Sequence, residues 1–533
     1  MPFAITQNCC NDASCLSVCP VNCIHPTPDE PDFGKTELLY IDPRSCIDCG
    51  ACADACPVDA ITRVSRLTPD QQIYADINAD YYKDKPAVAE WGAPRFPVST
   101  VNDLPPIDIA IVGTGPAACY TAQALLRVPG TRITFYDRLP TAGGLARYGV
   151  APDHLGTRRI SEHFRGIFAH PRVTMKLGVE VGKDVDHVEL ARKFDSVVYA
   201  VGADKDRALE IPGIDLDGSV SARTLVGWYT GHPDVPADAI DLTGVERVTI
   251  IGNGNVALDA ARILTADPDR LDGTEIAPHA LAELRRNRVR EVVVLARRGP
   301  EFAAFTRSEC KALVDRVGVD VVVAGPDGIL DAIDRLPLSA PASALAGAQR
   351  VDLGSRAGVE PAERPGNTAG VEPAERPGNT AGVEPAERPG NTDGPRIVFA
   401  FGRAPSAVHG SGSVESIEVG VGEHSVTLPT ELVLLAIGYR GTPSPGIPFD
   451  DITGTIRNDR GRITAADGTP VPGCYVVGWA KRGASGGIGD NKIDAEETAE
   501  ALLADVPTRG SARPLGWYGK VSAALGDRVS RTR

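Results

Sequence analysis

The chain has 533 residues, a length that predicts about three or four domains with well-buried cores. Its formal net charge of -15 at pH 7 argues against nucleic acid and anionic membranes as partners, because both carry the same sign of charge. No apolar run reaches the roughly 18 residues of a membrane-spanning helix, and no basic segment precedes an apolar one near residue 1. We therefore expect a cytoplasmic protein without membrane insertion.

Cysteines are concentrated at the start of the chain, where nine of the twelve fall within the first 56 residues. The second group reads Cys46-x2-Cys49-x2-Cys52-x3-Cys56-Pro, which is the spacing of bacterial proteins that carry iron-sulfur clusters. In this pattern the first three thiolates wrap one cluster, while the fourth thiolate reaches another cluster. The run therefore predicts a second cluster, whose remaining ligands lie upstream.

The upstream group, Cys9-Cys10-x4-Cys15-x3-Cys19-Pro, repeats only the end of that pattern. Zinc and disulfides are the alternatives, but zinc sites prefer paired Cys-x2-Cys knuckles. One cluster takes either Cys9 or Cys10, and we choose Cys9 because two adjacent cysteines cannot easily aim both sulfurs at one cluster. Cys10 and Cys23 are then unligated.

In the two-cluster pattern, the last cysteine of each group binds the cluster of the other group. This rule assigns the remaining cysteines of both groups, and the result resembles a seven-iron ferredoxin. Three ligands favour [3Fe-4S] over [4Fe-4S] for the first cluster, while four ligands indicate [4Fe-4S] for the second. The first set is Cys9, Cys15 and Cys56, and the second set is Cys19, Cys46, Cys49 and Cys52.

Two segments interrupt the pattern of domains. Residues 67–105 lose the cysteines and gain proline, aromatic and acidic residues, which predicts a linker that wraps and docks the N-terminal domain.

Residues 357–392 contain three copies of a twelve-residue repeat with two prolines and one branched aliphatic residue in each copy. Such units cannot bury a core, so we expect a disordered surface insertion.

Short runs rich in valine and isoleucine alternate with helical patterns after residue 106. Glycine bounds these runs, and their apolar character on both faces is typical of parallel strands that helices cover from both sides. The predicted fold class is therefore α/β. The predicted strands cover residues 107–112, 132–136, 196–201, 247–251, 291–295 and 432–437.

A glycine-rich turn follows the first of these strands. Gly113 permits the tight bend, Gly115 lets a pyrophosphate approach the backbone, and Ala118 lets the next helix pack closely on the strand. The phosphate then lies at the helix N-terminus, where free amides favour negative charge. Asp137 ends the next strand, where an acid accepts hydrogen bonds from a ribose. The pattern predicts a dinucleotide-binding domain.

A second turn of this kind occupies residues 252–257, with the sequence Gly-Asn-Gly-Asn-Val-Ala. The strand that follows it ends in Arg297 and Arg298 instead of an acid, and a guanidinium pair can clamp the 2′-phosphate of NADP. An acid at the first site and arginines at the second site predict FAD first and NADPH second. The two sites together indicate an electron-transferring enzyme.

Four longer motifs lie at residues 139–145, 147–154, 252–259 and 478–489, and they include Arg-Tyr-Gly-Val-Ala-Pro-Asp-His at 147–154. In content and order they resemble the adrenodoxin-reductase type of ferredoxin-NADP reductase. With the cysteine-rich start, the chain is similar to actinobacterial fusions of ferredoxin and ferredoxin-NADP reductase.

The resemblance implies a small α+β bacterial-type ferredoxin domain followed by two Rossmann-like dinucleotide-binding domains. The FAD domain is implied to be discontinuous, with the NADP domain inserted in it. The implied boundaries are 1–66 for the ferredoxin domain, 67–105 for the linker, 106–205 and 441–533 for the FAD domain, and 206–440 for the NADP domain.

The resemblance also implies contacts with each cofactor. His154 and Asp259 occupy the positions of a hydrogen-bonded pair near the flavin, and we expect this pair to relay a proton. The implied FAD contacts are Asp137, Leu145, Trp479, Gly486, Gly487 and Ile488. The implied NADP contacts are Asn253, Gly254, Asn255, Val256, Arg297, Arg298 and Glu309.

These features predict a ferredoxin-NADP reductase. Hydride from NADPH passes to FAD, and single electrons then pass to the fused clusters, to an external ferredoxin or to a ferredoxin-dependent monooxygenase. An alternative is an electron-input protein whose ferredoxin domain only docks a separate catalytic partner. A protein like the small subunit of glutamate synthase fits less well. A disulfide reductase also fits less well, because no Cys-x2-Cys follows either dinucleotide turn.

Overall fold

The computed structural model describes residues 2–28, 30–85, 104–316, 318–337, 340–353, 394–421 and 424–506. The repeats at 357–392 and the later part of the expected linker lie outside the described residues. Within the described ranges, no helix is both long enough and apolar enough to cross a membrane.

A small N-terminal unit carries the nine clustered cysteines. Its strands are β1 (Phe3–Ile5), β2 (Ile24–His25), β3 (Tyr40–Ile41) and β4 (Ile61–Arg63), and its helices are α1 (Ala51–Ala55) and α2 (Ile73–Asp80). Strand β1 pairs antiparallel with β4, and β2 pairs antiparallel with β3. Loops between these short strands hold the cysteines.

Helix α2, in the first part of the expected linker, packs on the N-terminal unit. The Asn78 side chain accepts hydrogen bonds from the backbone N–H groups of Ile5 and Ile41, at 3.1 and 2.9 Å. The Tyr82 hydroxyl donates to the carbonyl oxygen of Tyr40 at 2.6 Å. Residues 67–85 therefore belong to the N-terminal unit, because their side chains complete the hydrogen bonding of its buried backbone.

Residues 104–206 alternate strands with helices, as the apolar runs predict. The central strands bury both faces, and Ile109, Ile111 and Phe135 are fully buried. The strands are β5 (Asp108–Val112), β6 (Arg132–Asp137), β7 (Val173–Leu177), β8 (Ser196–Tyr199) and β9 (Lys205–Asp206). The helices are α3 (Pro116–Leu125), α4 (Leu145–Tyr148), α5 (Leu155–Arg158), α6 (Ile160–Phe168) and α7 (His187–Lys193).

Residues 219–440 repeat this alternation around a second core. Helices cover one face of its parallel sheet, and an antiparallel ribbon covers the other face, where Val408 and Ile417 share a cluster with Val293. The strands are β10 (Ser219–Ser221), β11 (Arg247–Ile251), β12 (Glu291–Ala296), β13 (Asp320–Ala324), β14 (Gln349–Arg350), β15 (Arg396–Phe401), β16 (Pro405–His409), β17 (Ser416–Val421), β18 (His424–Pro429), β19 (Leu432–Leu435) and β20 (Tyr439–Arg440). The helices are α8 (Ala222–Thr230), α9 (Asn255–Leu264), α10 (Pro268–Leu271), α11 (Pro278–Leu284), α12 (Arg307–Val314) and α13 (Asp327–Arg335).

Residues 441–506 return to the first core. Strand β25 pairs in parallel with β8, with Cys474 opposite Val197. The elements are β21 (Phe449–Asp450), β22 (Thr455–Ile456), β23 (Asn458–Asp459), β24 (Arg462–Thr464), β25 (Pro470–Val476), α14 (Trp479–Arg482) and α15 (Asp490–Asp505). Short 3-10 helices lie at Leu16–Val18, Val64–Arg66, Pro69–Gln71, Pro300–Phe302 and Pro341–Leu345.

Two seven-stranded sheets result from this chain path. The first sheet has the order β23-β24-β25-β8-β5-β6-β7, and the second has the order β10-β19-β11-β12-β15-β13-β14. All neighbouring strands of the second sheet run parallel. The strands of the second sheet fall in sequence between the two halves of the first sheet. The predicted α/β class with two Rossmann-like sheets is confirmed.

Candidate functional site

Four predicted cluster ligands converge on one cavity of the N-terminal unit. Cys52 lies on α1, which Gly50 begins in the left-handed region at φ +81°, and Cys19 directly follows the 3-10 helix Leu16–Val18. Apolar side chains close much of the cavity. Its lining residues are Phe3, Cys19, Val21, Cys23, Ile41, Cys46, Ile47, Cys49, Gly50 and Cys52. The donor set of four thiols fits an iron-sulfur cluster.

Cys23, which the sequence leaves without a cluster, lies beside the same cavity. Its Sγ is 3.5 Å from the Sγ of Cys19. Hydrogen bonding with Cys23 lowers the pKa of Cys19 and that of Cys46 to about 6, and the same bonds raise the pKa of Cys23 far above its ordinary value. Cys23 therefore stays protonated and favours two thiolates, the form that binds metal.

A second group contains the thiols of Cys9, Cys10, Cys15 and Cys56. Burial, and then the charge of Cys9, raises the pKa of Cys15 well above its ordinary value. Burial also raises the pKa of Cys9 to about 12, with a contribution from Cys56. The charges of Cys9 and Cys56 contribute to the raised pKa of Cys10 as well. The structure thus brings the three predicted ligands together and keeps Cys10 beside them as the alternative to Cys9.

The first glycine turn has the backbone that its pattern requires. Gly113 has φ +106°, and a Cβ there would lie 2.4 Å from the carbonyl oxygen of Ala200, so only glycine fits. Gly115 caps α3 in an extended conformation, and Ala118 is fully buried against the strand. The amides in the first turn of a helix have no partner within the helix, so the start of α3 can hold a pyrophosphate.

Asp137 anchors this turn from the end of β6. Its Oδ2 accepts a hydrogen bond from the Thr114 hydroxyl at 2.5 Å, and its Oδ1 accepts one from the Leu139 N–H at 2.9 Å. The same hydroxyl accepts from the Gly143 N–H at 3.1 Å. These bonds orient the carboxylate and leave lone pairs for a ribose hydroxyl. Leu145 begins α4 and is 45% exposed, so it offers apolar surface to a ligand.

The predicted C-terminal contacts lie at the start of α14 and in the loop between α14 and α15. The Trp479 indole N–H donates to the Gly486 carbonyl oxygen at 3.3 Å. Gly486 has φ +77°, and a Cβ there would lie 2.6 Å from the Asp490 carboxylate, which itself accepts from the Gly487 N–H. The two exposed glycines present bare backbone, and Ile488 packs into the neighbouring core. A flat aromatic ring can lie against such a loop.

The second glycine turn repeats the first. Gly252 has φ +119°, and a Cβ there would lie 2.2 Å from the carbonyl oxygen of Ala436. Gly254 caps α9, and a Cβ there would meet no atom within 4 Å, which leaves space for a phosphate. The turn is braced from α12, because the Asn255 side-chain oxygen accepts from the Thr306 N–H at 2.8 Å. The predicted contacts in this turn are Asn253, Gly254, Asn255 and Val256.

Arg297 and Arg298 follow β12 and are both exposed. The Arg298 guanidinium lies 4.6 Å from the centre of the Phe302 ring. Stacking of this kind orients a guanidinium through its face and leaves its N–H groups at the edge for an anion. The pair thus stands at the strand end where a 2′-phosphate binds in this fold.

His154 precedes α5 and faces two carboxylates. Its Nε2 lies 3.5 Å from an oxygen of Glu309 and 3.9 Å from an oxygen of Asp259. The second distance exceeds hydrogen-bond length, so the expected bond between His154 and Asp259 is not formed. Asp259 instead contacts the guanidinium of Arg262, which also contacts Asp153. Glu309, expected to contact NADP, is the nearer partner of His154.

The His154, Asp259 and Glu309 donor atoms lie within 4.8 Å of one another, which a divalent cation could bridge. The buried guanidinium of Arg262 at Asp259 opposes a second cation there. Burial raises the pKa of Glu309, and the charge of His154 lowers it in part. The arrangement favours proton exchange over metal binding.

The N-terminal unit contacts both sheet-containing parts of the chain. The Lys492 ammonium on α15 donates to the Ser14 hydroxyl at 2.8 Å, and Arg159 forms an ion pair with Asp59. The Glu37 carboxylate accepts from two backbone N–H groups at the start of α12, at 2.5 and 2.7 Å. Sequence reasoning missed these contacts, because each residue resembles an ordinary solvated surface charge.

Two family models match the chain. A model of the 4Fe-4S binding domain matches residues 39–62, and a model of the pyridine nucleotide-disulphide oxidoreductases matches residues 107–323. The first match covers the second cysteine group, and the second match covers both glycine turns. The fold and site thus define an iron-sulfur oxidoreductase of the pyridine nucleotide type.

Individual proteins narrow this class. The chain is 45% identical over 517 residues to a probable ferredoxin/ferredoxin-NADP reductase of Mycobacterium bovis, across 95% of this chain and 84% of that protein. It is 43% identical over 422 residues to the NADPH-ferredoxin reductase FprA of Mycobacterium tuberculosis, across 75% and 84%. The structure of Mycobacterium tuberculosis FprA in complex with NADPH matches with a TM-score of 0.63 and 37% identity, over 80% of this chain and 90% of that chain. The chain belongs to the ferredoxin/ferredoxin-NADP reductase family, which confirms the predicted family and enzyme class.

Proposed function

We propose that this ferredoxin-NADP reductase sends electrons from NADPH, through FAD and the iron-sulfur clusters of its own N-terminal unit, to an external one-electron acceptor. One contact carries the proposal. A Cβ on Gly489, directly after the loop assigned to FAD, would lie 1.8 Å from the carbonyl oxygen of Cys10. Cys10, the neighbour of the proposed ligand Cys9, thus touches the backbone that directly follows this loop, and no other protein has to bridge the two.

Bound FAD would supply the conversion between two-electron and one-electron transfer, which protein side chains cannot perform. NADPH gives up two electrons as hydride, an iron-sulfur cluster changes by one electron, and bound FAD converts between the two. The chain has to orient these groups and exclude water. We assign the FAD pyrophosphate to the first glycine turn and its ribose to Asp137. The isoalloxazine ring is assigned to Leu145, Trp479, Gly486, Gly487 and Ile488.

NADPH is assigned to the second glycine turn. The open backbone at Gly254 accommodates the pyrophosphate, and the exposed Arg297 and Arg298 pair with the 2′-phosphate. Glu309 lies at the end of this site nearest to His154. It therefore faces the nicotinamide end of the bound nucleotide in this assignment.

His154 and Asp259 are assigned to proton transfer, with Glu309 as a third member. Hydride transfer followed by release of single electrons leaves a proton to be removed, and the His154 imidazole is placed to carry it. Glu309, 3.5 Å away, can receive that proton. Asp259 is held by Arg262 and acts on His154 through its charge.

The two thiol groups are assigned as separate clusters. The four-thiol cavity supports a [4Fe-4S] cluster on Cys19, Cys46, Cys49 and Cys52, and the second group supports a [3Fe-4S] cluster on Cys9, Cys15 and Cys56. Such clusters persist in a reducing compartment such as the cytoplasm. The acceptor is proposed to be a separate ferredoxin or a ferredoxin-dependent monooxygenase. The FAD domain is proposed to comprise residues 106–205 and 441–533, and the NADP domain residues 206–440.

Anaerobic rapid mixing of the holoenzyme with NADPH tests this proposal. Flavin absorbance and freeze-quench electron paramagnetic resonance (EPR) follow the flavin and the clusters separately, and NADH serves as the control donor. We expect flavin bleaching followed by cluster reduction within one turnover, and a much slower reaction with NADH. Flavin reduction without any cluster change would contradict the proposal and leave the N-terminal unit as a docking module.

A further inference from the structure

The two thiol groups occupy different positions relative to the rest of the chain. The group of Cys9, Cys15 and Cys56 faces the reductase. A Cβ on Gly489 would lie 1.8 Å from the Cys10 carbonyl oxygen and 2.2 Å from the Asn11 carbonyl carbon. Gly489 has an ordinary φ of -69°, so a side chain there is excluded by this contact and not by backbone strain.

Other contacts fix the same side of the unit against the reductase. A Cβ on Gly156 would lie 2.3 Å from the side-chain nitrogen of Asn8. Cys10 and Cys56 pack against the buried cluster that contains Tyr120 of α3, the helix that begins at the first glycine turn. Lys492, two residues after the start of α15, reaches Ser14 in the loop between Cys10 and Cys15.

The other thiol group faces away from the reductase. The residues that line its cavity all lie between Phe3 and Cys52, so the N-terminal unit alone forms it. Cys49 is exposed, and the neighbouring Ile47 is 47% exposed. Among the described residues, this group is the one with a thiol at the solvent surface of the unit.

Two short helical segments connect the groups. The 3-10 helix Leu16–Val18 separates Cys15 from Cys19, and α1 contains Cys52 and ends directly before Cys56. Helix α1 packs against this 3-10 helix, so the two thiol groups are joined by adjacent segments of the unit. An electron can therefore cross from one group to the other inside the unit.

We propose that Cys9, Cys15 and Cys56 hold the first iron-sulfur acceptor after the flavin, and that Cys19, Cys46, Cys49 and Cys52 hold the last one before the external acceptor. This order rests on the proposed function. NADPH loses a hydride, two molecules of a one-electron acceptor are each reduced by one electron, and one proton is released. Both electrons enter at the buried group and leave at the exposed group.

Removing one ligand from each group tests the order. The variants are Cys56→Ala and Cys49→Ala, and iron content and EPR show which cluster remains. In Cys49→Ala, NADPH should reduce the remaining cluster at the wild-type rate, while reduction of cytochrome c falls by about tenfold or more. In Cys56→Ala, flavin reduction should persist, while reduction of the exposed cluster slows by about tenfold or more. A wild-type rate of exposed-cluster reduction in Cys56→Ala would overturn the order.

A second variant keeps all the proposed cysteine ligands and tests the same order, even if a cysteine variant does not fold. Gly489→Ala forces the Cys10 carbonyl to move, and Gly166→Ala is its control, because a Cβ at Gly166 meets no atom within 4 Å. We expect unchanged flavin reduction and about tenfold slower reduction of both clusters in Gly489→Ala. Slowing confined to the buried cluster would show that the exposed cluster is filled directly, which contradicts the order. Failure of cluster reduction in the wild-type protein would instead overturn the proposed function itself.

Discussion

Glu37 of the N-terminal unit accepts a hydrogen bond from the backbone N–H of Ser308, 271 residues later in the chain, at 2.5 Å. It accepts a second one from the N–H of Arg307 at 2.7 Å, so the carboxylate caps the N-terminus of α12. The next residue on that helix is Glu309, which faces His154. The N-terminal unit is thus bonded to the helix that carries Glu309, the nearer carboxylate partner of His154.

This cap predicts a dependence of stability on pH. Burial raises the pKa of Glu37 from about 4.5 to about 7, and the charge of Glu309 contributes. The folded protein therefore holds a proton that the unfolded chain releases between these two values, so the free energy of unfolding should fall as pH rises from about 4.5 to 7. We expect a loss of about 2 kcal/mol across this window, measured by chemical denaturation.

Glu37→Gln isolates this effect from other titrating groups. The glutamine amide cannot titrate, but its oxygen can still accept hydrogen bonds from α12. The difference in unfolding free energy between wild type and variant should therefore vanish below about pH 4.5 and become constant above about pH 7. A pH profile of the variant that runs parallel to that of the wild type throughout would show that Glu37 does not titrate at this contact.

The arginine pair predicts coenzyme preference. Arg297→Ala and Arg298→Ala should each raise the KM for NADPH by about tenfold, because a charge-assisted bond to the 2′-phosphate is lost. The KM for NADH should stay within about twofold, since NADH lacks that phosphate. Steady-state kinetics with both donors provide the measurement, and Arg286→Ala, at a side chain that is 75% exposed, is the control. Equal changes for both donors would argue against the assignment.

The position of His154 beside two carboxylates predicts that its mutation affects the later one-electron steps and not the rate of flavin reduction. His154→Ala should leave flavin reduction by NADPH nearly unchanged and slow the later one-electron steps by about a hundredfold, with loss of their pH dependence. Stopped-flow kinetics from pH 5 to 9 measure both phases. His424→Ala, at an exposed histidine on β18, is the control. If His154→Ala alters neither flavin reduction nor the pH dependence of electron release, the proton-transfer role is wrong.

A buried carboxylate predicts how the flavin loop is held. Asp494 on α15 contacts Lys481 at 2.6 Å and Arg482 at 2.9 Å, and it accepts from the Gly478 N–H. Asp494→Ala removes the carboxylate that Lys481 and Arg482 share, while Lys481 keeps its contact with Glu497. The variant should lose about 3 kcal/mol of unfolding free energy, because buried charge loses part of its compensation. Purified protein should also contain less FAD, because Trp479, which is assigned to FAD, begins the helix α14 that carries both cations. Glu500→Ala, exposed on the same helix, should change neither quantity.

Local sequence patterns predicted the parts of this molecule that depend on short segments. The cysteine spacings located the thiol groups, and the two turns beginning at Gly113 and Gly252 were located because each has a backbone that only glycine adopts. Asp137 was found because an acid at that strand end is set by the turn and the helix between two strands. The hydrogen bonds of Asn78 with β1 and β3 were not predicted, because no local pattern reveals backbone partners so far away in the sequence.

Only the tertiary structure decided which residues of distant segments meet. His154 is nearer to Glu309 than to Asp259 because Arg262, one turn along α9, draws the aspartate to itself. The contacts of Glu37 with α12, of Lys492 with Ser14 and of Gly489 with Cys10 depend on how the N-terminal unit packs on the two sheets. The cysteine spacing therefore predicted two thiol groups, while packing decided that the backbone of Cys10 lies against Gly489.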